Sequence, residues 1–164
     1  MNIRPYHPSD VSGMAALFHD TVHTVNARHY TQKQLFAWAT GQVDLAAWNV
    51  SFLAHYTLVA VEDGHLVGFG DIDENGYLDR LYVHKDFQRR GIATALCDAL
   101  EAMVRGRTLI THASITARPF FERRGYKMVK AQQVERGGVV LPNYCMERAN
   151  PVEEDACAVP ENCG

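Results

Sequence analysis

The sequence predicts an α/β protein: a mixed, twisted sheet of about seven strands flanked by helices on both faces. Three observations predict it. The hydrophobic period changes from helical to alternating near Tyr56, and the turn pairs Asp63-Gly64 and Asn75-Gly76 then punctuate three successive strands. After them, a helix joins two strands as a crossover that lets them run parallel, and a hairpin closes the pattern. Parallel and antiparallel strands in one sheet, with helical segments on either side of them in the chain, define the layered class.

Taken in order, Asn2 to Tyr6 reads as a short strand. Ser9 or Asp10 can cap a helix whose apolar face is Val11, Met14, Ala15, Leu17, Phe18 and Val22. Thr31 opens a second helix with Leu35, Phe36 and Trp38 on its face, ended by Gly41, and a third runs from about Asp44 to Ala54. Tyr56–Val61, His65 to about Asp73 and Tyr77–Val83 form the meander, with Gly68 and Gly70 marking a close approach or a bulge. A helix from about Arg90 to Val104 leads to the strand Thr108–His112, and a short helix from about Ala117 to Arg124 ends at Gly125. Tyr126–Glu135 and Val139–Glu147, joined by Gly137-Gly138, make the terminal hairpin. Residues 1–149 read as one domain and residues 150–164 as an acidic, disordered tail.

Composition excludes several classes. Of the net charge of -3, the tail carries Glu153, Glu154, Asp155 and Glu161 with no Lys or Arg, so the body is close to neutral. A near-neutral body argues against nucleic acid as a partner, which would need a basic face. No apolar stretch is long enough to cross a bilayer, and the first ten residues hold Arg4, Pro5 and His7 where an export signal needs an apolar run. The expectation is a cytoplasmic protein with no membrane contact. Cys97 and Cys145 fall in a helix and a strand, where a free thiol packs as a small hydrophobe, and Cys157 and Cys163 lie in the tail. No His, Cys or Asp grouping has metal-ligand spacing, so no metal is expected.

The chemistry-bearing segment is Gln88-Arg89-Arg90-Gly91-Ile92-Ala93-Thr94, which follows the strand Tyr77–Val83 and opens a helix. The first amides of a helix lack intrahelical partners and sit at the positive end of its dipole. Such a turn suits a pyrophosphate. Gly91 removes a side chain from the approach, and Arg89 and Arg90 add charge. The segment lacks the patterns of a nucleotide-hydrolase loop and of a dinucleotide turn.

This run resembles motif A, (Q/R)-x-x-G-x-(G/A), of the GCN5-related N-acetyltransferases (GNAT). Ala113 through Tyr126 resembles the same family's second signature, N-x-x-A-x-x-(L/F)-Y-E-x-x-G-F. The resemblance covers about residues 1–148. It implies acetyl-CoA as acyl donor and direct transfer of its acetyl group to a primary amine of a small molecule or peptide. It implies that Leu81, Tyr82 and Val83 pair with the pantetheine arm through their backbone. Their amides would also polarise the thioester carbonyl. Arg89, Arg90, Gly91, Ile92, Ala93 and Thr94 would hold the pyrophosphate, with Phe120 and Phe121 against the cofactor. Small homodimers are frequent in the family.

Two positions depart from the pattern. Ser114 stands where the family often has Asn, and Phe121 where many members have a Tyr that protonates the departing thiolate. A phenyl ring has no proton to give, so Tyr126, Tyr144 or water takes that role. Asp79 is the candidate base or amine anchor, sharing strand parity with Leu81 and Val83. His29, Tyr30 and Trp38 in the early helical region, and Asn143 in the terminal hairpin, are candidates for the acceptor wall. The alternative is a CoA-binding regulatory or interaction module without turnover, which Phe121 favours. Neither the identity of the acceptor nor the acyl-chain preference is encoded legibly.

Overall fold

The computed structural model describes residues 1–152. The tail expectation and Cys157 and Cys163 therefore lie outside the described residues, apart from its first three positions. The strands are β1 (Asn2–Pro5), β2 (Tyr56–Glu62), β3 (His65–Ile72), β4 (Tyr77–Val83), β5 (Leu109–Ser114), β6 (Lys127–Arg136) and β7 (Val139–Arg148). The helices are α1 (Val11–Thr24), α2 (Gln32–Trp38), α3 (Leu45–Ala54), α4 (Ile92–Ala102) and α5 (Arg118–Arg123). The strands form one seven-stranded sheet in the order β1-β2-β3-β4-β5-β7-β6. Among the described residues, only β4 and β5 run parallel. Every other neighbouring pair is antiparallel.

Each sheet face has its own core. On one, Val59 and Phe69 pack with Met14, Phe18, Leu35 and Phe52 from α1, α2 and α3. On the other, Leu58, Val67 and Leu78 pack with Ile92, Leu96 and Leu100 of α4 and Phe121 of α5. Helix α4 lies close because β3 is bare beneath it. A Cβ at Gly68 would stand 3.0 Å from the Ile92 side chain, and one at Gly70 would stand 3.1 Å from Leu100. Those contacts are tighter than ordinary van der Waals separations, so the two glycines set the depth of α4.

Thr31 caps α2 as expected, its side chain accepting from Gln34 N while Gln34 reaches back to the Thr31 amide. Asp44 likewise accepts from Ala47 N at the start of α3. The start of α1 differs from expectation. Neither Ser9 nor Asp10 caps it, because a 3-10 turn at Pro8–Asp10 runs directly into the helix. Its cap is His7, whose ring accepts from Ser9 N, and Asp10 accepts the His7 amide and binds Arg4.

Two departures from regular pairing shape the middle of the sheet. Between β3 and β4, Asp71 faces Arg80 and Ile72 faces Leu78, so Asp79 is the extra residue of a bulge. Between β4 and β5, pairing is confined to Tyr77 with Ile110 and Leu78 with Thr111. Beyond that point the two parallel strands part, and the Leu81–Val83 side of β4 that would face β5 is left free of strand partners among the described residues.

Candidate active site

The parting strands open a cleft of about 880 Å³, lined by β4, β5, the start of α4, α5 and the end of α1. Its far end is the turn expected to bind an anion. Gln88 donates to the Val83 carbonyl at 2.6 Å and so fastens the turn to the end of β4. Arg89 and Gly91 both have positive φ, 61° and 80°, and Gly91 is the N-cap of α4. Alternating backbone conformations of this kind turn successive amides toward one concavity, which recruits anions. A Cβ on Gly91 would meet nothing within 4 Å, so the space before it is open to a ligand. Helix α4 begins at Ile92, two residues later than the sequence period indicated, because the left-handed glycine ends the turn rather than starting the coil.

The cleft gathers Asp79, Leu81, Tyr82 and Val83 from β4 with Arg89, Gly91, Ile92, Ala93 and Thr94 from the turn and helix. Ser114, Phe120 and Phe121 line it from the β5–α5 side, and His29 and Trp38 from the early helices. Ser114 Oγ accepts the Ala117 amide at 3.0 Å and receives Asn26 Nδ2 at 3.5 Å. His29 Nδ1 and Thr116 Oγ1 are 2.9 Å apart, a second link across the cleft between the α1–α2 connection and the β5–α5 connection. Burial pushes the Tyr82 hydroxyl well above its ordinary pKa, while the Trp38 indole N–H directed at it pulls the other way. The Tyr82 hydroxyl therefore stays protonated and uncharged.

Several expectations need correction. The Tyr126 hydroxyl does not reach the cleft: it is buried and donates to Glu101 Oε2 at 2.7 Å. Burial and the Glu101 charge both push its pKa up. Tyr144 is also absent from the cleft lining, with the Arg118 guanidinium 4.5 Å over its ring. Tyr30 is a strut, donating to Pro142 O at 2.7 Å and accepting from Ile115 N at 3.0 Å. Asn143 accepts from Gln132 within the terminal hairpin. The Arg90 side chain stacks on Phe87, 4.7 Å from its centroid, leaving its backbone amide as its contribution to the turn.

Asp79 keeps its place in the cleft but on a different physical footing. The bulge breaks the strand's alternation, so Asp79 does not follow Leu81 and Val83. Its carboxylate is 3.7 Å from Arg80 Nη2, beside His55 and Asp71. Those three neighbours escaped the sequence reading. The one signal for them was a carboxylate at Asp71 between Gly70 and Ile72 in an otherwise apolar strand. Asn26, buried at the cleft wall, carried no sequence signal.

A seven-stranded sheet split between two parallel strands, with a helix start suited to an anion at the open end, defines a CoA-dependent acyltransferase fold. Comparison with known proteins agrees. The acetyltransferase (GNAT) domain model matches residues 26–147. The uncharacterized N-acetyltransferase YafP of Escherichia coli is 37% identical over 147 residues, covering 89% of this chain and 94% of that protein. A crystal structure from Rhodopseudomonas palustris described as a GCN5-related N-acetyltransferase superposes with a TM-score of 0.86 at 34% identity, covering 90% of this chain and 94% of that one. The PaiA N-acetyltransferase of Thermoplasma acidophilum, solved with coenzyme A, shares the fold at a TM-score of 0.71 and 16% identity, over 90% of this chain and 98% of that one. The chain belongs to the GNAT acetyltransferase family. Among the described residues, no helix is long and apolar enough to cross a membrane.

Proposed function

We propose that the protein transfers the acetyl group of acetyl-CoA directly to a primary amine of a small molecule or peptide. The observation that carries this reading is the shared cleft: the free edge of β4, the Gly91 turn and the Asp79 carboxylate all open into it. The Gly91 turn suits the donor's pyrophosphate, and the free edge of Leu81–Val83 suits its amide-bearing arm as an added strand would. The amides of that edge then donate to the thioester carbonyl, where negative charge gathers in the transition state.

On this reading the amine enters from the side of His29 and Trp38. Its nitrogen forms a bond to the acetyl carbon while the carbon–sulfur bond breaks, and Asp79 accepts the amine's proton. The thiol's ordinary pKa of about 8.5 makes its anion a fair leaving group without a dedicated acid, which accommodates Phe121. Water protonates it on departure. Calorimetry with acetyl-CoA tests the donor, and an amine panel read by thiol release tests the acceptor class. Asp79→Asn should lower kcat by roughly 10²-fold or more, as loss of a general base does, with acetyl-CoA affinity retained. Absence of binding at millimolar acetyl-CoA would overturn the reading. Binding without thiol release across the panel would favour a CoA-binding module, the reading that Phe121 supports.

A further inference from the structure

Asp71 is fully buried, and two donors converge on one of its oxygens. His55 Nδ1 lies 2.7 Å and Arg80 Nη1 2.6 Å from Oδ2, while Oδ1 has no partner. Arg80 is held on every side: over the Phe52 ring at 4.7 Å, over Trp48 at 5.2 Å, and 3.2 Å from Ser51 Oγ. Its second nitrogen faces Asp79 at 3.7 Å. Burying such charges rarely repays its desolvation cost in stability, and an oxygen left unpaired makes the balance worse. The cluster calls for a reason other than holding the fold.

One polar atom from each of His55, Asp71 and Asp79 lies within 4.8 Å of the other two. One bridging water spans such a gap with two ordinary hydrogen bonds. The same three residues could ligate a metal by type, but the Arg80 guanidinium already sits against both carboxylates. A dication would have to displace a cation that two rings, a hydroxyl and Asp71 hold in place. A proton is the charge this cluster can exchange without rearrangement.

We propose that His55 is a positioning residue for Asp79, held by Asp71 so that it takes over, across one water, the proton that Asp79 receives from the acceptor amine. The inference rests on the proposed role of Asp79. As the nitrogen–carbon bond forms and sulfur leaves with its electron pair, the amine's proton passes to Asp79. It then moves to the ring nitrogen that Asp71 does not engage. His55 is 21% exposed and returns the proton to solvent, so Asp79 is ionised for the next cycle. The charged groups facing His55 are Asp71 from β3 and Asp79 and Arg80 from β4. The bond to Asp71 raises the imidazole above its ordinary value and Asp79 adds to the rise, against burial and Arg80. The ring is thus free to accept only as pH climbs past its raised midpoint, and turnover should climb with it.

His55→Asn tests this, since an asparagine amide in place of Nδ1 keeps the bond to Asp71 but cannot take a proton. The expected result is a kcat about tenfold lower, within the range of assisted proton transfer, an unchanged KM for acetyl-CoA, and loss of the rising limb that His55 sets in the pH profile. A second measurement needs no turnover: the imidazole titration of His55 by NMR, its resonance assigned by its loss in His55→Asn. Asp79→Asn should lower that midpoint. An unchanged midpoint would overturn the proposal. So would a His55→Asn enzyme with wild-type kcat and pH limb while Asp79→Asn is impaired. If Asp79→Asn is itself unimpaired, the base assignment fails first, and the relay with it.

Discussion

Thr111 donates its hydroxyl to the carbonyl of Leu78 at 3.0 Å, across the last rung that joins β4 to β5. The bond stands at the vertex of the cleft. Below it the strands are zipped; above it they part. A parallel pair ordinarily continues its slanted ladder for the length of both strands. Here the ladder ends where the bulge at Asp79 bends β4 away, and the Thr111 hydroxyl satisfies the buried carbonyl left at the break. The opening proposed to take the donor is therefore built from a one-residue insertion and one side-chain hydrogen bond.

Thr111→Val should reveal that arrangement. Valine fills the same space but leaves the Leu78 carbonyl without its partner, at a cost of about 1–2 kcal/mol for a buried acceptor. Thermal unfolding should show the melting temperature falling by roughly 2–8 °C, and Thr111→Ser should recover most of the loss. Equal stability of the valine and threonine proteins would mean that the carbonyl finds another donor.

Gly91 separates binding from folding. At φ 80° an alanine is strained by about 1–2 kcal/mol but meets no neighbour. Gly91→Ala should therefore be a mildly destabilised protein that still binds acetyl-CoA. Gly91→Glu carries the same strain and adds bulk and negative charge to the turn. Calorimetry should find its affinity for acetyl-CoA lost at concentrations that saturate the alanine variant. Equal affinities would move the pyrophosphate elsewhere.

Tyr126→Phe distinguishes a buried strut from an acid. The hydroxyl is one of several donors on Glu101, with Arg124 at 2.8 Å and Arg148 at 3.3 Å on its other oxygen. Removing it should destabilise the protein by about 1–2 kcal/mol and leave kcat within about twofold of wild type, since the cleft does not contain it. A kcat loss on the order of 10²-fold with unchanged stability would restore Tyr126 as a proton donor.

The features legible in the sequence were those written in neighbouring residues. Turn pairs, caps and hydrophobic period are local, so the element order and the Gly91 turn could be read from short stretches. The side of Asp79 could not, because alternation assumes an unbroken ladder and one extra residue in the pairing of β3 with β4 shifts the parity. Tyr126 looked available for chemistry because its partner, Glu101, is distant in sequence and belongs to α4. Tyr30 was misread for the same reason, its two partners lying on β7 and beside β5. His55 at the α3–β2 junction, Asp71 on β3 and Arg80 on β4 meet only once the sheet and α3 are assembled. Residues whose role depends on a register or a distant partner carry no local mark.

Asp10 supplies the pH test of the scaffold. Its two oxygens each take a nitrogen of Arg4 at 2.9 Å, and Oδ2 also accepts the His7 amide at 2.9 Å, tying β1 to the turn that begins α1. The Arg4 guanidinium holds this carboxyl below its ordinary value, against an opposing push from burial. A depressed carboxyl binds its proton less readily in the folded protein than in the unfolded chain. Its contribution is therefore complete above the unfolded value of about 3.9 and is lost as pH falls through the lower folded value. Arg4 is 38% exposed, so solvent screens the pair and the contribution is about 1 kcal/mol or less. Asp10→Asn should show that loss already at neutral pH and a shallower fall toward acid, measured as the urea midpoint against pH. A variant whose acid limb superimposes on that of wild type would assign the acid sensitivity to other carboxylates.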